Sequence, residues 1–177
     1  MISIDPGLRG CGVSKYFYYD KILVDASYVT NTIKKDERNT LHHKAVYNIY
    51  NTRNTFYRAE RWVALALAVE KWAGEPISIV VVEAMTIYPH LKGDPSDLLE
   101  IQAVVGAILA RFPDAVHVAV DARTWKGQVP RDIFAARIEK KLRERGWWDR
   151  VQIPSRKTHL NDVLHAAGLG LWYLERG

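Results

Sequence analysis

Ile2-Ser3-Ile4-Asp5-Pro6-Gly7-Leu8-Arg9-Gly10-Cys11-Gly12-Val13 opens the chain with a short apolar run that stops on a carboxylate. Pro6 offers no ladder donor and Gly7 turns freely, so the pattern predicts a strand over 2–5 with Asp5 projecting from its end. A second run, Ile77-Ser78-Ile79-Val80-Val81-Val82, is almost entirely β-branched and reads as a central strand buried on both faces. It too ends on an acid, Glu83. Near the other end of the chain His159 and Asp162 stand three apart, ahead of an apolar stretch with helix-compatible residues, which places both on one helix face. Two adjacent strand ends with a helix laid across them would gather all four groups. Clustered carboxylates repel and lose hydration, so such a gathering points to a divalent cation. Each piece alone has a plainer reading: a turn, a salt-bridged strand end, a first helical turn. Their conjunction carries the inference.

The remaining elements follow from periodicity and punctuation. Strands over 2–5, 11–19 and 22–30 read as a meander, with alternation and aromatic content suited to antiparallel pairs. A helix over 53–73 ends at Gly74 and Pro76, and the strand 77–83 follows. After a loop with Tyr88-Pro89 and Gly93-Asp94-Pro95 comes a helix over 96–112, with Ser96 as a good N-cap. A strand over 115–121 and helices over 130–146 and 159–175 finish the chain. Three strands and then alternating helices and strands describe an α/β protein, a mixed five-stranded sheet with helices on both faces. A small-residue strip in the middle helix, Ala103, Gly106, Ala107 and Ala110, suits either close packing within the chain or a subunit contact.

With 177 residues and 48% hydrophobic content, the chain suits one domain spanning 1–177. Charge interrupts its apolar segments before membrane-spanning length, and Met1 leads straight into a strand, so a cytoplasmic protein with no membrane association is expected. A single cysteine, Cys11, excludes an internal disulfide, and its flanking glycines suggest a buried small residue. The net charge of +5 is compatible with nucleic acid. Basic residues concentrate between Asn31 and Arg61, where Tyr47, Tyr50, Phe56 and Tyr57 are interleaved, and again from Arg123 through Arg145. Cations suit phosphates and aromatic faces suit unpaired bases, whereas Glu139 and Glu144 make much of the second group a solvated, ion-paired helix face.

Read together, these segments resemble the RuvC-type Holliday junction resolvases. The stretch 2–13 is similar to the family's opening strand and turn, and Val80-Val81-Val82-Glu83 to its second acidic position. Leu98 to Leu109 resembles the helix that follows, Trp125-Lys126-Gly127 the basic loop after the fifth strand, and His159-Leu160-Asn161-Asp162-Val163-Leu164-His165-Ala166 the C-terminal helix. The resemblance covers nearly the whole chain, and it extends to divergent phage-encoded members, making a phage origin an expectation. This sequence differs in carrying His159 where many members carry Asp and Thr86 where the family often has a stacking Phe, and in a longer, more polar stretch from Asn31 to Phe56.

The resemblance implies a ribonuclease H-like fold and a structure-selective endodeoxyribonuclease that resolves four-way DNA junctions by paired nicks. It implies a homodimer, matching the two-fold character of a junction, and two Mg²⁺ or Mn²⁺ ions per active site. Asp5 would bridge both ions, Glu83 and Asp162 would each hold one, His159 would complete one shell, and Lys126 would support the scissile phosphate. Arg9, Tyr88, Lys92, Arg123, Lys126 and Arg131 are the candidate DNA contacts. Two alternatives stay open: a related nuclease acting on RNA or RNA–DNA hybrid, and a junction-binding protein without catalysis.

Overall fold

In the computed structural model, the described residues are 1–30, 55–74, 76–84 and 95–176. Five strands form one sheet in the order β3-β2-β1-β4-β5, with β1 Ile2–Asp5, β2 Gly10–Phe17, β3 Ile22–Thr30, β4 Ile79–Ala84 and β5 Val116–Asp121. The β1–β2 and β2–β3 pairs are antiparallel, whereas β1–β4 and β4–β5 are parallel, so the sheet is mixed as the sequence implied. The helices are α1 Thr55–Ala73, α2 Pro95–Leu109, a short α3 Ala122–Trp125, α4 Arg131–Glu144 and α5 Lys157–Arg176.

Strand parity assigns side chains to two cores. Ile2, Ile4, Val13, Val80 and Val82 face one side, where they join Leu65, Ala66 and Val69 of α1 and Val104, Val105 and Ile108 of α2. Val81, Val120, Tyr16 and Leu23 face the other, against α4 and the buried stripe Val163, Leu164, Ala167, Leu171 and Leu174 of α5. Because β2 lies between these layers it is buried almost throughout, and the half-exposed alternation expected of it gives way to a strand covered on both faces. Two hydrogen bonds fasten the middle of α5 to the sheet: Ser3 Oγ donates to the Ala166 carbonyl at 2.8 Å and Tyr16 Oη to that of Ala167 at 2.7 Å. Cys11 is fully buried, and burial pushes its thiol up to about 12, as a structural rather than reactive cysteine requires.

Several expected boundaries move. The middle helix ends at Leu109 rather than 112, because Arg111 and Phe112 leave the helix in a tighter turn, their N–H groups donating to the Ile108 and Leu109 carbonyls. It also starts at Pro95, whose fixed φ suits a first helical position, one residue before the expected Ser96 cap. The last helix starts at Lys157, putting His159 inside its first turn. Lys126 is not in a plain loop: it caps the C-terminus of α3, its backbone N–H donating to the Ala122 carbonyl, with Gly127 following at φ +65°. The exposed basic residues of α4 are largely spoken for, Arg143 by Glu139, Lys140 by Glu144, and Lys141 by Glu175, which bears out a solvated ion-paired face. Among the described residues, no helix is long and apolar enough to cross a membrane.

Candidate metal centre

The parity that sorts the cores also aims the acids. If Ile2 and Ile4 point toward α1 and α2, then Ser3 and Asp5 point toward α5; likewise Val81 and Glu83 point away from Val80 and Val82. The parallel register sets Ile4 beside Val82, so Asp5 and Glu83 leave adjacent strands at the same level on the same face. Parallel strands end together, and helix N-termini reach across those ends.

Gly12 makes the approach of α5 possible. It pairs with Asp5 on one side and with Tyr28 on the other, and a Cβ there would lie 2.0 Å from the Asp162 carbonyl oxygen. Only a hydrogen at this position lets the α5 backbone rest on the sheet, which brings Asp162 beside Asp5. The row Tyr28, Gly12, Asp5 therefore runs under the first turns of α5. Above Tyr28 lies His159, the two rings stacked at 3.9 Å between centroids and 6° between planes.

These groups line one open cleft of about 610 Å³ whose walls include Asp5, Glu83, His159, Asp162 and His165 together with Arg9, Lys126, Arg131 and Arg156. Glu83 is buried and accepts hydrogen bonds from Trp125 Nε1 at 3.0 Å and from Lys126 Nζ at 3.1 and 3.0 Å. Arg131 forms an ion pair with Asp162 and reaches to 4.0 Å from Asp5. Burial, then the neighbouring charge of Glu83, raises Asp5 to about 7, against the opposing pull of Lys126 and Arg131. His165 is almost fully buried, and burial followed by Lys126 lowers it to about 4.

Asp5, Glu83, Asp162, His159, Lys126, Arg9 and Arg131 thus come together from distant parts of the chain, as the sequence pattern anticipated. Arg123 follows the fifth strand but does not line this cleft, and Tyr88 and Lys92 lie outside the described residues, as does most of the basic and aromatic stretch from Asn31 to Arg61. Among the described residues, no three acidic, histidine or cysteine side chains converge tightly enough to hold one ion as they stand; Lys126 pairs with Glu83 and Arg131 with Asp162. The donor set still fits a hard divalent cation: three carboxylates share one cleft, and one of them is held far above its ordinary pKa by burial and by the neighbouring charge of Glu83. Sequence reasoning missed the wall residues Tyr28, Arg156 and His165. Arg156 shows only as one basic residue ahead of a helix, and Tyr28 only as a strand aromatic; their roles depend on who faces them.

No family model matches the sequence, and no curated protein matches it. Among solved structures, Thermus thermophilus RuvC in complex with a Holliday junction substrate is similar over all of this chain and 96% of its own, with 20% identity and a TM-score of 0.55. The fold is that of RuvC. A second Thermus thermophilus RuvC structure matches over 100% of this chain and 97% of its own at 18% identity and a TM-score of 0.56. The yeast mitochondrial Holliday junction resolvase Ydc2 matches over 98% and 78% at 10% identity and a TM-score of 0.52. The RuvC fold, a ribonuclease H-like mixed sheet with helices on both faces, is what these proteins share with this chain. They come from a bacterium and a yeast, so the expected phage origin gains no support.

Proposed function

We propose that the protein is a metal-dependent endonuclease that resolves four-way DNA junctions, with Asp5, Glu83 and Asp162 as metal ligands. The observation that carries this reading is the delivery of three carboxylates, from β1, β4 and α5, into one cleft rimmed by Arg9, Lys126, Arg131 and Arg156. A purely phosphate-binding cleft would gain nothing from buried acids, which repel the backbone. Of the structures that share this fold, one is by its own description bound to a Holliday junction substrate and another is a Holliday junction resolvase, which favours branched DNA over an RNA-containing duplex as the substrate.

In this reading Asp5, Glu83 and Asp162 hold up to two Mg²⁺ or Mn²⁺ ions, with His159 at the edge of the set. Divalent ions there supply hydroxide at neutral pH and stabilise charge on the leaving 3′-oxygen. Lys126, which donates to Glu83 and lines the cleft, would be available to the scissile phosphate if a cation held that carboxylate. Arg131, which pairs with Asp162, would likewise be available as a phosphate ligand if a cation held that carboxylate. Exposed Arg9 and Arg156 hold the backbone at the cleft mouth. Two copies acting as a homodimer would cut the paired strands symmetrically.

The test is to incubate the purified protein with labelled four-way, flap and linear DNA and with RNA–DNA hybrid, each with Mg²⁺, Mn²⁺ or EDTA. Metal-dependent paired nicks in the four-way junction are expected, with the hybrid and linear duplex left largely intact. Preferred cutting of the hybrid would replace this reading with the ribonuclease alternative.

A further inference from the structure

The imidazole that stands beside Asp5 is that of His165, one turn deeper in α5 than Asp162; His159, by contrast, lies flat on Tyr28. His165 Nδ1 is 3.7 Å from Asp5 Oδ2. That is too long for a hydrogen bond, yet two donors each about 2.1 Å from one cation are separated by roughly 3.0 to 4.2 Å, depending on the angle between them. The other ring nitrogen, Nε2, faces the Arg131 backbone carbonyl at 3.3 Å. A carbonyl oxygen only accepts, so Nε2 carries the hydrogen and the lone pair of the neutral ring resides on Nδ1, the atom turned toward Asp5. Trp125 and Phe134 meet the ring edge to face, at 6.1 and 5.4 Å between centroids, and fix its plane. An N–H anchored on a backbone carbonyl opposite a free nitrogen is the arrangement that orients metal-binding histidines.

We propose that His165 is a nitrogen ligand of the divalent cation held by Asp5, its Nδ1 and an Asp5 oxygen meeting one ion. The assignment rests on the metal reading above and adds to it a ligand from the buried side of the cleft. It also gives Arg131 a second task, since its carbonyl sets the His165 tautomer while its guanidinium contacts the neighbouring acids. An imidazole in the shell shifts preference from Mg²⁺ toward Mn²⁺.

The experiment is Mn²⁺ binding to the intact protein without DNA, followed by calorimetry and by pulsed electron paramagnetic resonance of nitrogen hyperfine coupling. In His159→Asp, which removes the other candidate imidazole and leaves the core untouched, a directly bound ¹⁴N signal is expected to persist and to become a ¹⁵N signal when histidine is ¹⁵N-labelled. Adding His165→Asn, with folding verified by its melting curve, is expected to abolish that signal and weaken Mn²⁺ binding by at least about 10-fold. His159→Asp protein that binds Mn²⁺ with no nitrogen coupling would overturn the role of His165 and leave the carboxylate site standing. Wild-type protein that binds no Mn²⁺ would overturn both.

Discussion

Asp5 shows how much a single position can carry. Its raised pKa means that between about 3.8 and about 7 the folded protein holds a proton that the unfolded chain has lost. Stability contributed by this group therefore falls as pH rises through that window and stays low above it. His165, lowered from 6.5 to about 4, acts oppositely: the unfolded chain binds the extra proton there, so stability rises with pH across 4 to 6.5. The two terms offset each other in mildly acidic solution, which makes wild-type curves alone uninformative. Asp5→Asn removes one of them. In EDTA, the variant's stability advantage over wild type in urea melts is expected to grow from pH 4 to pH 7 and then level off, at on the order of a few kcal/mol. A difference independent of pH would mean that burial beside Glu83 does not raise Asp5 in the folded protein. In Mg²⁺, by contrast, Asp5→Asn, Glu83→Gln and Asp162→Asn are each expected to lower junction cleavage by at least about 100-fold while junction binding changes only a few-fold, because phosphate contacts supply most of the affinity. Gel-shift and cleavage assays on the same preparations separate the two.

Among the elements, α5 decides whether a site exists at all. It brings Asp162, His159 and His165 to the sheet, and its seat depends on Gly12. Gly12→Ala would drive a methyl into the Asp162 backbone, so a loss of about 1 to 3 kcal/mol is expected, along with a larger fractional loss of metal affinity than of stability. Gly106 in α2 is the matched control: among the described residues nothing lies within 4 Å of a Cβ there, and its φ is ordinary. Gly106→Ala should raise the monomer's stability by about 0.5 to 1 kcal/mol, as removal of a helical glycine does. Chemical denaturation of the two variants checks both signs. Among the described residues, intramolecular packing does not fill the strip at Gly106, where the sequence allowed either reading. Had it done so, alanine would have been excluded there as it is at position 12.

For the molecule as a whole, the exposed cations Arg9 and Arg156 of the cleft, with exposed Lys157 next to Arg156 in the chain, predict an affinity for DNA that is electrostatic in origin. If these and Arg131 each neutralise one phosphate, log affinity should fall with log salt at a slope of roughly −3 to −4 for duplex arms. Replacing both Arg9 and Arg156 by Ala should reduce that slope by about 2 and leave the metal requirement unchanged. Fluorescence anisotropy over a salt series measures it; an unchanged slope would place the DNA elsewhere. Sedimentation velocity of the free protein and of its junction complex is expected to show a dimer. An active monomer bound singly to each junction would remove the symmetry argument.

The strand ends, the helix periods and the order of acids along the chain were legible without coordinates, since each depends on local rules: proline and glycine stop strands, β-branched runs bury, and a spacing of three shares a helix face. On those rules Asp5, Glu83 and Asp162 could be picked out of a chain with 20 acidic residues. What no local rule states is which side chains face one another once β1, β4 and α5 converge. His159 and His165 look alike in the sequence; the depth of α5 on the sheet, set by a missing Cβ at Gly12, decides that one stacks on Tyr28 and the other stands beside Asp5. Lys126 and Arg131 were visible as charges, but their hold on Glu83 and Asp162 arises from contacts 43 residues apart in one case and from a second helix in the other. Identity and spacing are written along the chain. Distance across the cleft, and with it the electrostatics that raise Asp5, belongs to packing alone.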